Sequence, residues 1–173
     1  MCHYSKRGIS CLCDISKQIN LIETTGILAY ANYLVHPDGL AGVASQQTGY
    51  IYTQDDAGIH LFDRTGKALV NETDYRVLSI AEPSGAVPVQ DRNSGKCGIW
   101  SLSSEKLTLP CAYQEIELIT AQHQGSDEPP PRTVAAVTED GTVWSVIDPV
   151  SGETLIPAGY NSITGIYGYI SAE

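Results

Sequence analysis

The chain has 173 residues, of which 42% are hydrophobic and 17% charged, so it is long and apolar enough for one folded domain and is not a disordered chain. Asp and Glu number 20 against 10 Lys and Arg, for a formal net charge of −10. This balance disfavours direct binding to nucleic acid, which needs positive charge, and favours association with a basic protein. The alternative is that the acidity only keeps the protein in solution.

No stretch is apolar and long enough to span a bilayer, and the first residues do not lead into a signal sequence. The five Cys residues lack the spacing of a disulfide framework, which is typical of a reducing compartment. We therefore expect a cytoplasmic protein that does not bind membranes.

Turn-forming residues are spread along the whole chain, with 16 Gly and 9 Pro, and the hydrophobic residues lean towards Ile, Val, Leu and Tyr. This composition favours short strands over long helices. The first predicted elements are an apolar run at residues 8–14 and a strand at residues 29–35, which contains Tyr30. A long polar segment, residues 36–48, follows that strand.

Three further copies of the same order of elements follow. Their short apolar runs overlay on one another at residues 58–63, 98–103 and 143–148. Each run is followed by a turn, a second short run and a strand that we expect to begin with a tyrosine. Each run is also preceded by a strand, predicted at residues 50–53, 86–90 and 134–137.

Four tyrosines mark the copies and are about 43 residues apart on average: Tyr30, Tyr75, Tyr113 and Tyr160. We predict a single all-β domain, residues 1–173, built from four hairpin-rich repeats of about 43 residues. The repeats are expected at approximately residues 1–48 plus 167–173, 49–85, 86–131 and 132–166.

The two ends of the chain complete one repeat in this prediction. The front copy has too few residues before Gly8 for the strand that precedes the other runs, and residues 168–171 resemble residues 49–52. A C-terminal strand that completes the first blade would close the chain into a four-bladed ring similar to a β-propeller, which protects the sheet edges. The alternative is an open array whose tail begins a truncated fifth repeat.

Several short motifs recur between about residues 50 and 166. They are Gly-Lys-Cys-Gly-Ile at 95–99, Leu109-Pro110, Ile156-Pro157, Asp63-x-x-Gly66, Tyr113-x-x-Ile116 and Tyr160-x-x-Ile163. This pattern resembles the WG (KWG) repeat family, although Cys97-Gly98 and Ala57-Gly58 stand where the family has Trp-Gly. The resemblance implies a β-rich, propeller-like repeat module that binds or scaffolds and shares no catalytic residues.

A cysteine cluster near the start of the chain is the strongest candidate for a metal site. Cys11 and Cys13 would share one face of a strand, with Cys2 and His3 nearby. Structural zinc needs a second ligand pair at suitable spacing, which the other cysteines do not offer. We therefore interpret the cysteines as small buried hydrophobes.

The remaining candidates for chemistry also favour a structural interpretation. The histidines at 3, 36, 60 and 123 lie in separate contexts, and His60 lies inside a predicted strand. No nucleophile, phosphate-loop or zinc-protease motif is present. The Asp-rich turns at residues 54–58 and 138–141 lack the alternating ligands of a calcium loop and are typical of hairpins. We expect no enzymatic activity, no metal and no cofactor.

Acidic residues lie on both faces of the predicted ring, so charge alone does not choose the binding face. The long segments 36–48 and 120–132 would share one face, and long loops in a compact domain are often functional, with a tolerated insertion as the alternative. The short turns would lie on the opposite face. The candidates for binding a partner are Asp38, Glu82, Asp127 and Glu128 on loops, and Asp55, Asp56, Glu72, Asp74, Glu139 and Asp140 on short turns.

These features predict a non-catalytic protein-binding module that is a monomer alone and forms a 1:1 complex. The specific hypothesis is an immunity or antitoxin protein whose carboxylates cover the active site of a basic nuclease toxin. One alternative is a structural scaffold module from a longer WG-type array. Another is a carbohydrate-binding propeller domain that uses exposed aromatic residues such as Trp100 and Trp144.

Overall fold

The computed structural model describes residues 2–6, 9–14, 19–24, 27–35, 46–80, 84–120, 133–166 and 169–172 of the chain. Every regular element in these ranges is a β-strand, which confirms the all-β prediction. The strands are β1 (Cys2–Lys6), β2 (Ile9–Asp14), β3 (Ile19–Thr24), β4 (Ile27–Val35), β5 (Gln46–Asp55), β6 (Gly58–Phe62), β7 (Tyr75–Val77), β8 (Ala86–Asp91), β9 (Cys97–Ser101), β10 (Lys106–Tyr113), β11 (Glu115–Thr120), β12 (Thr133–Thr138), β13 (Trp144–Ile147), β14 (Thr154–Tyr160), β15 (Ile163–Ile166) and β16 (Tyr169–Ala172).

The strands form four antiparallel sheets in which each strand pairs with its neighbours in the sequence. The front sheet contains β1 to β3, the central sheet β4 to β10, the third sheet β11 to β14, and the C-terminal sheet β15 and β16. Between β6 and β7 the central sheet is joined through a single residue pair, Ile59 with Val77. Such a succession of hairpins is what many turn residues and short β-prone runs dictate.

The hairpins that follow the three apolar runs share one register. Phe62 pairs with Ala68, Trp100 with Leu107, and Ile147 with Thr154, each close to its turn. These pairs place Ser101 level with Asp63 and Asp148, whereas the sequence overlay placed Ser103 there. A shift of two residues keeps every side chain on the same face of its strand, so the hydrophobic pattern does not reveal it.

The marker tyrosines do not all begin strands. Tyr75 begins β7 as predicted, but Tyr113 and Tyr160 end β10 and β14, and Tyr30 lies within β4. The chain leaves the central sheet for the third sheet directly after Tyr113, where the backbone N–H of Gln114 donates to the carbonyl of Thr138 at 2.8 Å. The prediction was wrong for these copies because a change of sheet within an unbroken β-prone run leaves no mark in the composition.

The expectation that the front copy lacks a strand before Gly8 is also wrong. Cys2–Lys6 forms β1 and pairs along its length with β2, since a strand needs only about five residues. The predicted C-terminal strand is present as Tyr169–Ala172, and it pairs with Ile163–Ile166. In the described ranges β1 and β16 are each the last strand of their sheets.

One core cluster, which includes Tyr50, Leu61 and Val87, lies within the central sheet. The rest of the core lies between consecutive sheets, and β12 is buried along its whole length. Ala135 and Val137 pack in one cluster with Ile99 of the central sheet. The alternate residues Val134 and Ala136 pack in another cluster that includes β15. Side chains of a strand alternate between its two faces, so the third sheet is covered on both sides, which accounts for the continuous apolar run at 134–137.

Gly98 marks a close approach between β9 and β10. A Cβ atom there would lie 2.7 Å from the carbonyl oxygen of Leu109 and 2.8 Å from the Sγ of Cys111. The register of β10 shifts between Leu109 and Tyr113, so a bulge brings its backbone over β9. The glycine of Cys97-Gly98 is therefore required by packing.

Candidate binding site

The turns between β5 and β6, β8 and β9, and β12 and β13, with the connection that precedes β7, form the surface that we name the short-turn edge. Hydrogen bonds join these segments. Arg92 donates its backbone N–H to the carbonyl of Asp74 and its Nε to the carbonyl of Glu72, both at 2.9 Å. Lys96 Nζ reaches the carbonyl of Glu139 at 3.3 Å. The structure therefore brings the acidic residues predicted on short turns together in neighbouring segments.

Asp140 is held by its own turn. Its Oδ1 accepts hydrogen bonds from the backbone N–H groups of Thr142 at 2.8 Å and Val143 at 2.9 Å, and from the hydroxyl of Thr138 at 3.2 Å. The bonds from the N–H groups of Val143 and Thr142, together with hydroxyl donors, lower the pKa of Asp140 from 3.8 to about 2. This carboxylate is ionised and fixed in direction.

Asp55 and Asp91 have the same structural role in the equivalent turns. The hydroxyl of Thr24 donates to Asp55 Oδ2 at 2.9 Å, and the backbone N–H of Ala57 donates to its Oδ1. Those two bonds, the first above all, lower the pKa of Asp55. The N–H and hydroxyl of Ser94 lower the pKa of Asp91 in the same way. The bond from Thr24 also ties the front sheet to the central sheet.

His60 lies between two of the predicted carboxylates. Its Nδ1 is 2.9 Å from Glu72 Oε2, and its Nε2 is 3.8 Å from Asp55 Oδ1. The exposed fractions of the three side chains are between 21% and 33%, so water screens these contacts only in part. The imidazole of His60 therefore lies against one oxygen of Glu72 and near one oxygen of Asp55.

A groove of about 500 Å³ opens beside β9, and we name it the Trp100 groove. Its walls are residues 68–73, Trp100 and Glu105. The indole of Trp100 is half-buried and packs on Tyr75, with ring centroids 5.6 Å apart and planes tilted by 50°. Trp144 is also half-buried and packs against the core cluster that contains Ile163 of β15.

Two buried polar atoms at this groove have no hydrogen-bond partner: Trp100 Nε1, a donor, and Glu72 Oε1, an acceptor. A buried polar group without a partner costs about 1–3 kcal/mol. Native structures leave few buried polar atoms unpaired within the protein, so these two atoms mark the groove as a candidate ligand site. The other oxygen of Glu72 is occupied by His60.

Glu105, in the wall of the groove, forms a salt bridge in which Lys67 Nζ is 2.7 Å from Glu105 Oε2. The pKa of Lys67 is raised, chiefly by this hydrogen bond. The side chains are 58% and 53% exposed, so the pair contributes little to stability and opens easily.

Sequence reasoning could not have found this groove. The contact between His60 and Glu72 joins residues from β6 and from the segment before β7, and no motif signals it. The sequence marks Trp100 only as an aromatic residue, and its place in the same groove lining as Glu72 depends on the register of β9. Four of the predicted candidates lie outside the described residues: Asp38, Glu82, Asp127 and Glu128.

The cysteine interpretation is confirmed at Cys97, which is buried and whose pKa is raised by that burial. The side chains of Cys2, Cys11 and Cys13 lie outside the described part of the structure. Among the described side chains, no group of three His, Cys, Asp or Glu residues could hold a metal ion. No helix in the described ranges is long and apolar enough to cross a membrane.

Comparison with protein-family models, with curated proteins and with solved structures finds no match to this chain.

Proposed function

We propose that the protein is a non-catalytic module that binds a basic protein partner in the cytoplasm. The specific proposal is an immunity or antitoxin protein that covers the nucleic-acid site of a basic nuclease toxin in a 1:1 complex. The observation that carries the proposal is the short-turn edge, where carboxylates from successive turns lie in neighbouring segments joined by hydrogen bonds.

The hydrogen bonds within the turns support this proposal in a physical way. Asp55, Asp91 and Asp140 are fixed by their turns, so a partner that meets them does not have to immobilise them and loses less entropy on binding. Asp56 and Glu139 are exposed on the same edge and supply further negative charge. The net charge of −10 would attract a cationic partner and raise its association rate.

We also propose that the chain closes into a four-bladed ring of the WG type, in which the central sheet contains two blades and the front and C-terminal sheets together form one. Consecutive sheets pack face to face through β12, as blades do. The hairpin registers place Trp144 level with Cys97, at the position that the family gives to Trp. Closure would pair β16 with β1, each the last strand of its sheet in the described ranges. Nuclear Overhauser effects between backbone amides of 2–6 and 169–172 are expected, and their absence would refute closure.

The function is tested with the product of the gene adjacent to the protein's own gene. We expect that product to carry a basic nuclease domain, to form a 1:1 complex measured by calorimetry, and to lose its nuclease activity on mixing. Affinity should fall between about 50 mM and about 500 mM salt, because the contacts are largely electrostatic. A neighbour without such a domain, or the absence of a complex at low salt, contradicts the proposal.

A further inference from the structure

We propose that the Trp100 groove is an anchor pocket for a single Arg or Lys side chain of the partner. This inference rests on the proposed function, because it names the chemical group by which a basic partner would be held. It assigns a separate role to Glu72 and Trp100, whose unpaired atoms do not belong to the turn hydrogen bonds of the short-turn edge.

The charge of the groove selects a cation. Of the residues that line it, the charged ones are Glu72 and Glu105, both acidic, and the remainder are Trp100 and residues 68–71 and 73. Glu105 already contacts an ammonium group from outside the groove lining, since Lys67 Nζ lies 2.7 Å from Glu105 Oε2. Both partners of that contact are more than half exposed, so a second cation can compete for the carboxylate.

The unpaired atoms match the two ends of a basic residue in a polypeptide. Glu72 Oε1 needs a donor, which a guanidinium or ammonium group supplies as a charge-assisted hydrogen bond. Trp100 Nε1 needs an acceptor, which the main-chain carbonyl of the same residue can supply. The methylene stem between them would pack on the indole face, where Arg is also attracted by the ring.

Access to these atoms requires a small movement. Both are buried beneath the groove wall, but 33% of the Glu72 side chain is exposed, and His60 Nδ1 holds only its other oxygen. A rotation of the Glu72 carboxyl group about the contact with His60 would turn Oε1 towards the groove. Binding is therefore expected to perturb His60 as well as Trp100.

A neutral polyol such as a sugar is the competing occupant. Its hydroxyl groups both donate and accept, so it could also satisfy the two atoms, but it would bring no positive charge to the carboxylates of Glu72 and Glu105. The charge of the lining therefore favours the basic side chain, and the sugar becomes an outcome of the test.

The test follows the indole N–H resonance of Trp100 in a two-dimensional nitrogen–proton spectrum, with Trp144→Phe used to assign the two indole signals. The probes are acetyl-Gly-Arg-Gly-amide, acetyl-Gly-Gln-Gly-amide and maltose. We expect a saturable shift of the Trp100 signal with the Arg peptide, with a Kd in the millimolar range that is typical of one side chain. The Trp144 signal should stay in place.

Glu72→Gln should weaken binding of the Arg peptide roughly tenfold, because one charge-assisted hydrogen bond is lost. Glu153→Gln is the matched control: it removes the same charge from an exposed turn outside the groove lining and should leave Kd unchanged. The anchor pocket is refuted if the Arg peptide gives no saturable shift, if the Gln peptide or maltose binds as tightly, or if the two variants behave alike.

Failure of this inference can be told apart from failure of the proposed function. If the nuclease complex forms and Glu72→Gln leaves its affinity unchanged, the proposed function is supported and the anchor pocket is refuted. If the Arg peptide shifts the Trp100 signal but the chain binds no basic protein, the anchor pocket is supported and the proposed function is refuted.

Discussion

Asp140 and Glu72 lie on the same edge of the molecule and carry the same charge, but their hydrogen bonding differs. The Oδ1 of Asp140 accepts three hydrogen bonds within its own turn. Glu72 has one oxygen against His60 and the other buried without a partner. The comparison indicates that its turn fixes the first carboxylate before any partner binds, whereas one oxygen of the second still needs a hydrogen-bond donor. Acidic residues on one surface therefore differ in the hydrogen bonds that they already accept within the protein.

The comparison requires β9 to bring Trp100 into the same groove lining as Glu72, and Gly98 is where β9 closely approaches β10. Gly98→Ala should lower the free energy of unfolding by about 3 kcal/mol, because the added methyl group meets the backbone of β10 and cannot push it aside cheaply. Gly95→Ala is the matched control, with a φ of +70° and no atom within 4 Å of the new Cβ. It should cost only the backbone strain, about 1 kcal/mol. Equal losses in urea unfolding would contradict the close approach.

Asp140→Ala should give the next largest effect on stability, because it leaves the backbone N–H groups of Thr142 and Val143 without their acceptor. Asp56→Ala removes an exposed carboxylate of the same edge for which the structure gives no turn hydrogen bond, and it should change Tm little. Thermal unfolding of both variants measures the difference. If Asp56→Ala lowered Tm as much as Asp140→Ala, the distinction between structural and free carboxylates would be lost.

The low pKa of Asp140 predicts a pH dependence with a definite sign. A carboxyl group whose pKa falls from 3.8 to about 2 on folding stabilises the folded state above pH 3.8, and that contribution is lost as pH falls towards 2. Asp140→Asn keeps an acceptor in the turn but does not titrate. The stability difference between the natural protein and this variant should be constant at neutral pH and shrink between about pH 4 and pH 2. A stability difference that does not change with pH in urea titrations would show that the turn does not stabilise the ionised form of Asp140.

Trp100→Phe should have the smallest effect. Loss of the unpaired indole N–H should stabilise the folded state. Loss of part of a half-buried ring that packs on Tyr75 should destabilise it. The two contributions are of similar size, so we expect a change within about 1 kcal/mol in urea unfolding. A loss of about 3 kcal/mol or more would mean that the N–H has a partner and that the groove is not open.

The strands were predictable where their residues follow a simple pattern. The apolar runs at 86–90 and 134–137 correspond to β8 and β12, because a strand covered on both faces is apolar throughout. β1 was missed because Cys2–Lys6 has neither an apolar run nor clear alternation. β3 was also not predicted, although it continues the hairpin of β2.

The candidate site was predictable only in part. Acidic turns could be assigned to one edge, since turns between equivalent strands lie on the same side of a sheet. The difference in hydrogen bonding between Asp140 and Glu72 could not be predicted, because it depends on which N–H groups of a turn point at a carboxylate. The Trp100 groove depends on the register of β9, which differs by two residues from the sequence overlay. The hydrophobic pattern does not distinguish these two registers.

The central claim is that carboxylates of the short-turn edge meet a basic partner. The most direct measurement is the association rate constant with the nuclease of the adjacent gene, by stopped-flow fluorescence at low salt. The double variant Asp56→Lys with Glu139→Lys is compared with Glu117→Lys with Glu153→Lys, which changes the net charge equally at other exposed sites. We expect the first pair to slow association at least about tenfold more than the second, because steering depends on charge near the contact. Equal slowing by both pairs would contradict the account.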